Sequence, residues 1–198
     1  VEAIRRAMGG PLAFFYLVTL VGAFALAALE ATYALFAQDR LHLTSMAGAG
    51  AIGVVFVVVG LVQAAILGGL TGRLINRWGE DRVVKGGLVL AAAGYLLITL
   101  THTVATLALY AAIAGAGHSL MRPSVASLIS KRTTAGQGFS IGIMDSFDSL
   151  GRILGPAWGG WVYHLGIGLP YLTAAVVLLI TAGVSVATVG RGLPAEAN

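Results

Sequence analysis

Apolar residues in this chain come in long blocks separated by short polar breaks. Six blocks stand out: Leu12–Ala37, Gly48–Leu70, Val83–Leu100, Val104–Ser130, Gly138–Tyr163 and Gly168–Val189. Each approaches or exceeds the ~20 residues with which an α-helix crosses ~30 Å of hydrocarbon. Within the blocks there is little sidedness. Runs such as Ile52–Val62 and Tyr171–Ile180 are apolar all round, as a helix in lipid is. A membrane barrel would instead alternate polar and apolar positions over segments of about ten residues. The breaks are too short to hold a soluble domain. The pattern predicts an all-α membrane protein: one six-helix transmembrane domain over residues 1–190 and a polar tail over 191–198.

Composition sharpens this picture. Of 198 residues, 58% are hydrophobic and only 10% charged, against about 25% charged in a soluble domain. Mean hydropathy is +0.90. A soluble fold of this size leaves about 30% of its unfolded surface in water and has no place for so much apolar area. There is no cysteine, which removes disulfide frameworks, thiolate metal sites and thiol nucleophiles together. The net charge of +4 does not point to nucleic acid, because the basic residues sit at the ends of the apolar blocks.

Their placement predicts orientation. Six spans put both termini on one side, and that side carries Arg5, Arg6, Arg73, Arg77, Arg82, Lys85, Lys131, Arg132 and Arg191. The other side carries only Arg40. Positive charge stays on the cytoplasmic face, so both termini are expected in the cytoplasm of a multi-pass protein of the cell (inner) membrane. The first block is longer than the 7–15-residue core of a secretory leader and is expected to be a span.

Small residues mark where helices should meet, since association in lipid relies on close backbone approach. Gly151, Gly155 and Gly159 form one stripe, Gly138, Gly142 and Ser146 an earlier one on the same block, and Gly68 and Gly72 a third. Pro123 and Pro156 fall inside spans. Each removes a backbone donor and can kink its helix, a defect tolerated where protein or a wet cavity satisfies the freed groups. Both prolines are therefore expected to be buried. Tyr16, Phe36, Tyr95, Tyr110, Trp158, Trp161 and Tyr163 include expected anchors at the membrane interface.

Ionisable residues within spans cost about 2.5–3.5 kcal/mol or more near the bilayer centre and are candidates for function. They are Glu30, Arg122, Asp145, Asp148 and Arg152, with His118 beside them. Asp145, Asp148 and Arg152 share one helical face, and Asp148 and Arg152 are spaced to pair. A rise of ~1.5 Å per residue puts Arg122 and Asp145 at similar depths, about 10–12 Å in, which predicts a contact between their helices. Glu30 and Arg152 lie in the other half of the bilayer. Two readings stay open: a desolvated carboxylate that takes up and releases a proton, or fixed ion pairs that join helices.

No catalytic constellation is present. A G-x-x-x-x-G-K-[ST] loop and an H-E-x-x-H pair are both missing, and Gly115-Ala-Gly117 lies mid-span without a βαβ unit. No enzyme activity, cofactor or metal is expected.

Three stretches resemble the major facilitator superfamily. The break Gly72-Arg-Leu-Ile-Asn-Arg-Trp-Gly79-Glu-Asp-Arg82 is similar to its loop motif G-x-L-x-D-R-x-G-R-K/R. Gly72, Leu74, Arg77 and Gly79 match, while Asn76 and Glu80 depart from it as the second copy of the motif often does. Two glycines there allow a tight turn, and Arg73, Arg77 and Arg82 can hold an anionic membrane face or latch neighbouring helices. Gly142, Gly151, Gly155-Pro156 and Gly159-Gly160 resemble the antiporter motif of drug–proton exchangers. Pro123-Ser-Val-Ala-Ser-Leu-Ile-Ser-Lys131 followed by Gln137-Gly138 looks like the region between the tenth and eleventh spans of drug-efflux members.

The resemblance implies one half of a twelve-span fold, each half built of two three-helix inverted repeats. The antiporter spacing suits the first half. The Arg77-Trp-Gly-Glu80 wording and the run from Ser146 to Pro156 suit the second, C-terminal half, which is the assignment adopted. Implied with it are a small-molecule substrate, protons, the bilayer, and either the missing N-terminal half or a second copy as partners. Implied too is proton-coupled efflux of small amphipathic compounds. The same fold also serves sugar or organic-acid symport, and a fragment or assembly subunit that does not transport is the further alternative.

Overall fold

The computed structural model describes residues 11–189, which form helices and short turns without any strand. Arg5, Arg6, Arg191 and the expected tail at 191–198 lie outside the described residues. In chain order the helices are α1 (Pro11–Leu41), α2 (Ser45–Ala65), α3 (Thr71–Trp78), α4 (Glu80–Ile98), α5 (Val104–Arg132), α6 (Gln137–Tyr163) and α7 (Leu169–Val189). A π-helical turn, Ile66–Leu70, runs without a break from α2 into α3, so the seven helices make six rods.

Local chemistry sets the ends of these rods. The Thr44 hydroxyl accepts a hydrogen bond from the Ala47 amide and caps α2. Thr103 and Thr106 form a reciprocal capping box on α5, which satisfies two amides that a helix start leaves unpaired. Glu80 and Asp81 occupy the first turn of α4, and Lys131 and Arg132 the last turn of α5, each sign complementing the helix dipole.

Two expectations need correcting. The second block does not end at Leu70. The helix continues to Trp78, because Thr71–Trp78 contains no breaker strong enough to stop it, and the turn is made by Gly79 alone at φ 81°. Gly72 is therefore an ordinary helical residue rather than part of the turn. The prolines do not break their helices, and Pro156 is exposed while Pro123 is only half-buried. One residue of helix turns the side chain by roughly 100°, which swings Pro156 away from the buried Gly155 surface. By length and apolarity alone, four of the six rods among the described residues qualify to cross a membrane. The other two are α4, with four charged residues in its first two turns, and α6, with Asp145, Asp148 and Arg152.

Glycine builds both of the most extensive seams. Along α1 and α6, a Cβ added at Gly151 would stand 2.5 Å from the Leu20 carbonyl oxygen, and one at Gly155 2.5 Å from that of Phe24. Gly159 meets Ala28 in the same way. Between α4 and α5, a Cβ at Gly94 would stand 2.4 Å from the Ala114 nitrogen, and one at Gly117 2.4 Å from that of Ala91. Gly68, Gly72, Gly138, Gly142 and Gly160 meet nothing within 4 Å. Helix α7 covers α1 and α4, tied in by the Thr32 hydroxyl bonded to that of Tyr171 at 3.2 Å. The core holds Tyr16, Phe36 and Tyr95 with at most 1% exposure, so these three are packing residues and not interface anchors. Helix α2 leans mainly on α5 and leaves its far side bare, with Val57 and Leu61 more than 60% exposed.

Candidate functional site

Helices α1, α2, α5 and α6 enclose a cleft made of three adjoining hollows. Leu26 borders all three, His118 two of them, and Gln63 two. The widest, about 530 Å³, lies between α2, α5 and α6 and is bordered by Gln63, Leu67, His118, Arg122 and Asp145. A narrower one of about 70 Å³ is bordered by Thr19, Gly22, His118, Arg122, Asp148 and Arg152. The third, about 110 Å³, holds Glu30 among Tyr33, Phe56, Val59, Gln63 and Tyr95.

All five ionisable residues singled out within the spans border this cleft, although they come from three helices. Arg122 Nη2 on α5 stands 3.3 Å from Asp145 Oδ1 on α6, the cross-helix contact that their matched depths predict. Both side chains are more than half exposed, so the pair faces the opening and is not a sealed bridge. One turn further along α6, Arg152 Nε donates to Asp148 Oδ2 at 2.9 Å. Asp148 is the more covered partner. Glu30 makes no ion pair or hydrogen bond to the other described side chains. Its carboxylate is thus the acid of the cleft without a neutralising partner; the residue is exposed and borders a hollow lined mainly by apolar and aromatic groups.

Two polar residues of the wall escape a reading of the sequence. Gln63 stands alone in an apolar run and carries no charge to draw attention. Tyr95 is fully buried, and its hydroxyl lies 3.0 Å from His118 Nε2, so α4 and α5 are hydrogen-bonded through the wall. Only the odd polarity of His118 among alanines and glycines marks it in the sequence.

The loop motif occupies the opposite end of these rods from Arg40. Asn76, Arg77 and Arg82 are not buried, and Arg73, Arg77 and Arg82 form no ion pair to the other described residues. The fastening there belongs to the neighbouring acids. Glu80 accepts hydrogen bonds from Lys131 Nζ and from Ser127 Oγ, the latter at 2.9 Å, and Asp81 pairs with Arg132 at 3.0 Å. Arg132 also lies over the Phe15 ring, 5.2 Å from its centroid. Lys131 is the first cause of a Glu80 carboxyl held below the usual carboxylate range. Gly79 is the only member of the motif with a backbone that favours glycine.

At the other end, Asp39 accepts a 2.6 Å hydrogen bond from the Tyr163 hydroxyl, while Arg40 donates to the backbone oxygens of Thr99 and Thr101. Further along α6, Trp158 and Trp161 lie tilted at 55° to one another, and Phe24 lies beside Trp158.

Comparison with known proteins gives this architecture a family. The family model of the Major Facilitator Superfamily matches residues 12–196. Multidrug resistance protein 1 of Bacillus subtilis is 29% identical over 177 residues, covering 87% of this chain and 43% of that protein. The class E tetracycline resistance protein of Escherichia coli is 26% identical, covering 86% of this chain and 43% of its own length. The crystal structure of the human organic anion transporter MFSD10 (TETRAN) has the same fold, with a TM-score of 0.75 at 24% identity, covering 89% of this chain and 42% of that one. The chain spans less than half the length of these relatives. All-helical, apolar and matched by the family model over nearly its whole length, the chain is an integral membrane protein and belongs to the major facilitator superfamily.

Proposed function

We propose that this chain forms the C-terminal six-span half of a proton-coupled exporter of small amphipathic compounds. In this reading the rods are two three-helix inverted repeats, the basic end with Gly79 and Lys131 faces the cytoplasm, and the open side of the cleft meets the other half of the transporter or a second copy. Substrate crosses between the halves as they rock about the cleft.

The observation that carries the reading is the cleft itself. Its wall is apolar enough for a hydrophobic compound, yet it contains Glu30, an acid with no basic partner. In this reading Glu30 is the residue that carries the proton. Asp145 and Asp148 differ from Glu30 in that each already has a guanidinium partner, Arg122 and Arg152. The multidrug and tetracycline resistance proteins among the relatives support amphipathic substrates.

The test is ethidium efflux by the full-length protein in proteoliposomes, with and without a pH gradient. Wild-type efflux driven by the gradient and a loss of tenfold or more in Glu30→Gln are expected. Flux in Glu30→Gln that still follows the gradient at the wild-type rate removes Glu30 from the mechanism.

A further inference from the structure

Glu30 and the Asp148–Arg152 pair occupy different hollows, and the partition between them is built unusually. On one side Tyr95 borders the hollow of Glu30. On the other, His118 borders the hollow of Asp148 and Arg152. The hydroxyl of Tyr95 and Nε2 of His118 are joined at 3.0 Å. The second ring nitrogen, Nδ1, turns towards α1, where a Cβ added at Gly22 would stand 3.9 Å away. Gly22 itself borders the Asp148 hollow. Each end of this two-residue chain thus reaches a different hollow, through a wall that is otherwise largely apolar.

We propose that Tyr95 and His118 form a proton relay between the Glu30 hollow and the Asp148 hollow. The proposal deepens the exporter reading and rests on it for the direction of proton flow. The Glu30 hollow, about 110 Å³, has room for several waters, since one needs roughly 10–15 Å³ of such space. The relay starts with His118 protonated on Nδ1 and accepting the Tyr95 hydroxyl proton at Nε2. Protonated Glu30 releases its proton through water to the Tyr95 oxygen as the phenolic proton passes to Nε2. The transient imidazolium then gives up its Nδ1 proton to the Asp148 carboxylate across the hollow. Glu30 has lost one proton, Asp148 has gained one, and Tyr95 is unchanged. His118 is left as the other neutral tautomer; the ring is reset when it turns to the wet hollow, where water takes the Nε2 proton and returns one to Nδ1.

The charged and titratable surroundings fit this role. From α6, Asp148 and Arg152 face His118 across one hollow and Asp145 across the other. On its own helix lies Arg122, and on α4 Tyr95. Helix α2 offers only neutral Gln63, and α1 presents Thr19, Gly22 and Leu26, with Glu30 one hollow away. Tyr95 borders neither hollow of α6 and reaches them only through His118, passing its own hydroxyl proton in the relay.

The relay is tested by following the His118 ring with ¹⁵N-labelled histidine in the full-length protein in nanodiscs, from pH 4 to 9. Glu30→Gln is expected to move the His118 protonation midpoint by about half a pH unit or more. In a Tyr95→Phe background the same substitution is expected to move it by much less, since the bonded path is cut while ring and packing remain. An equal shift in both backgrounds means a field effect through space and overturns the relay, as does no shift in either. This readout needs no substrate, so it separates failure of the relay from failure of the exporter reading. In the ethidium assay, Tyr95→Phe is expected to lose proton-coupled flux at least tenfold. Coupled flux within twofold of wild type also overturns the proposal.

Discussion

One methyl group distinguishes the glycines that hold this protein together from those that do not. At Gly155 it would stand 2.5 Å from the Phe24 carbonyl oxygen, and backbone cannot yield as a flexible side chain does. Gly155→Ala is expected to force α1 and α6 apart at a cost of about 1–3 kcal/mol, read as a lower midpoint of thermal unfolding in detergent. Gly142→Ala adds its methyl to open space and is expected to match or slightly exceed the wild type, since alanine favours a helix by up to about 1 kcal/mol. Equal effects at the two positions would show that the seam does not depend on close backbone approach. The antiporter-like spacing contains both residues without distinguishing them, because a four-residue stripe reveals a face and not what the face meets. Spacing did reveal the ion pairs. An i, i+4 separation is enough to foresee Asp148 with Arg152, and equal depth to foresee Arg122 with Asp145. The Tyr95–His118 bond was hidden, because its partners sit on different helices and their meeting depends on how α4 is rotated against α5.

Between elements, α4 is clasped to α5 at the basic end by two ion pairs. Glu80 and Asp81 begin one helix, Lys131 and Arg132 end the other, and antiparallel packing brings them together. Each rod supplies the sign its own dipole favours, so the clasp and the helix ends reinforce one another. The lowered carboxyl of Glu80 fixes how this contact responds to acid. Its stabilisation is complete above the unfolded value of about 4.3 and is lost as pH falls through the lower folded value. Glu80→Gln is therefore expected to unfold at a lower temperature than wild type at pH 7, with the difference closing as the pH drops below about 4. A difference that persists unchanged into acid would assign the effect to packing. The motif resemblance drew attention to the arginines of this region and treated Glu80 as a departure. The structure gives the acid a task, and the cue was the basic pair at the end of the fourth apolar block.

For the whole molecule, the apolar blocks were legible because the requirement to cross hydrocarbon overrides other demands on a sequence. What they could not reveal was the joining of the second block to the loop motif as one rod, since nothing in Thr71–Trp78 distinguishes a helix outside the membrane from a turn. The proposed orientation rests on charge and is open to a direct check, made convenient by a sequence without cysteine. In a full-length protein freed of any other thiols, Arg77→Cys is expected to react with a membrane-impermeant maleimide only from the cytoplasmic side, and His164→Cys only from outside. The reverse pattern would invert the assignment.

Only Gly79 separates the rod that carries Gln63 and Leu67 from the helix that begins with Glu80. A joint of one residue acts as a crank: a tilt of the long arm is handed to the short arm with little slack to absorb it. If the hollow widens or narrows as the proposed exporter works, the change is expected to register at the contact of Glu80 with Lys131. A spectroscopic distance label across that remote contact would then serve as a gauge of how far the cleft has opened.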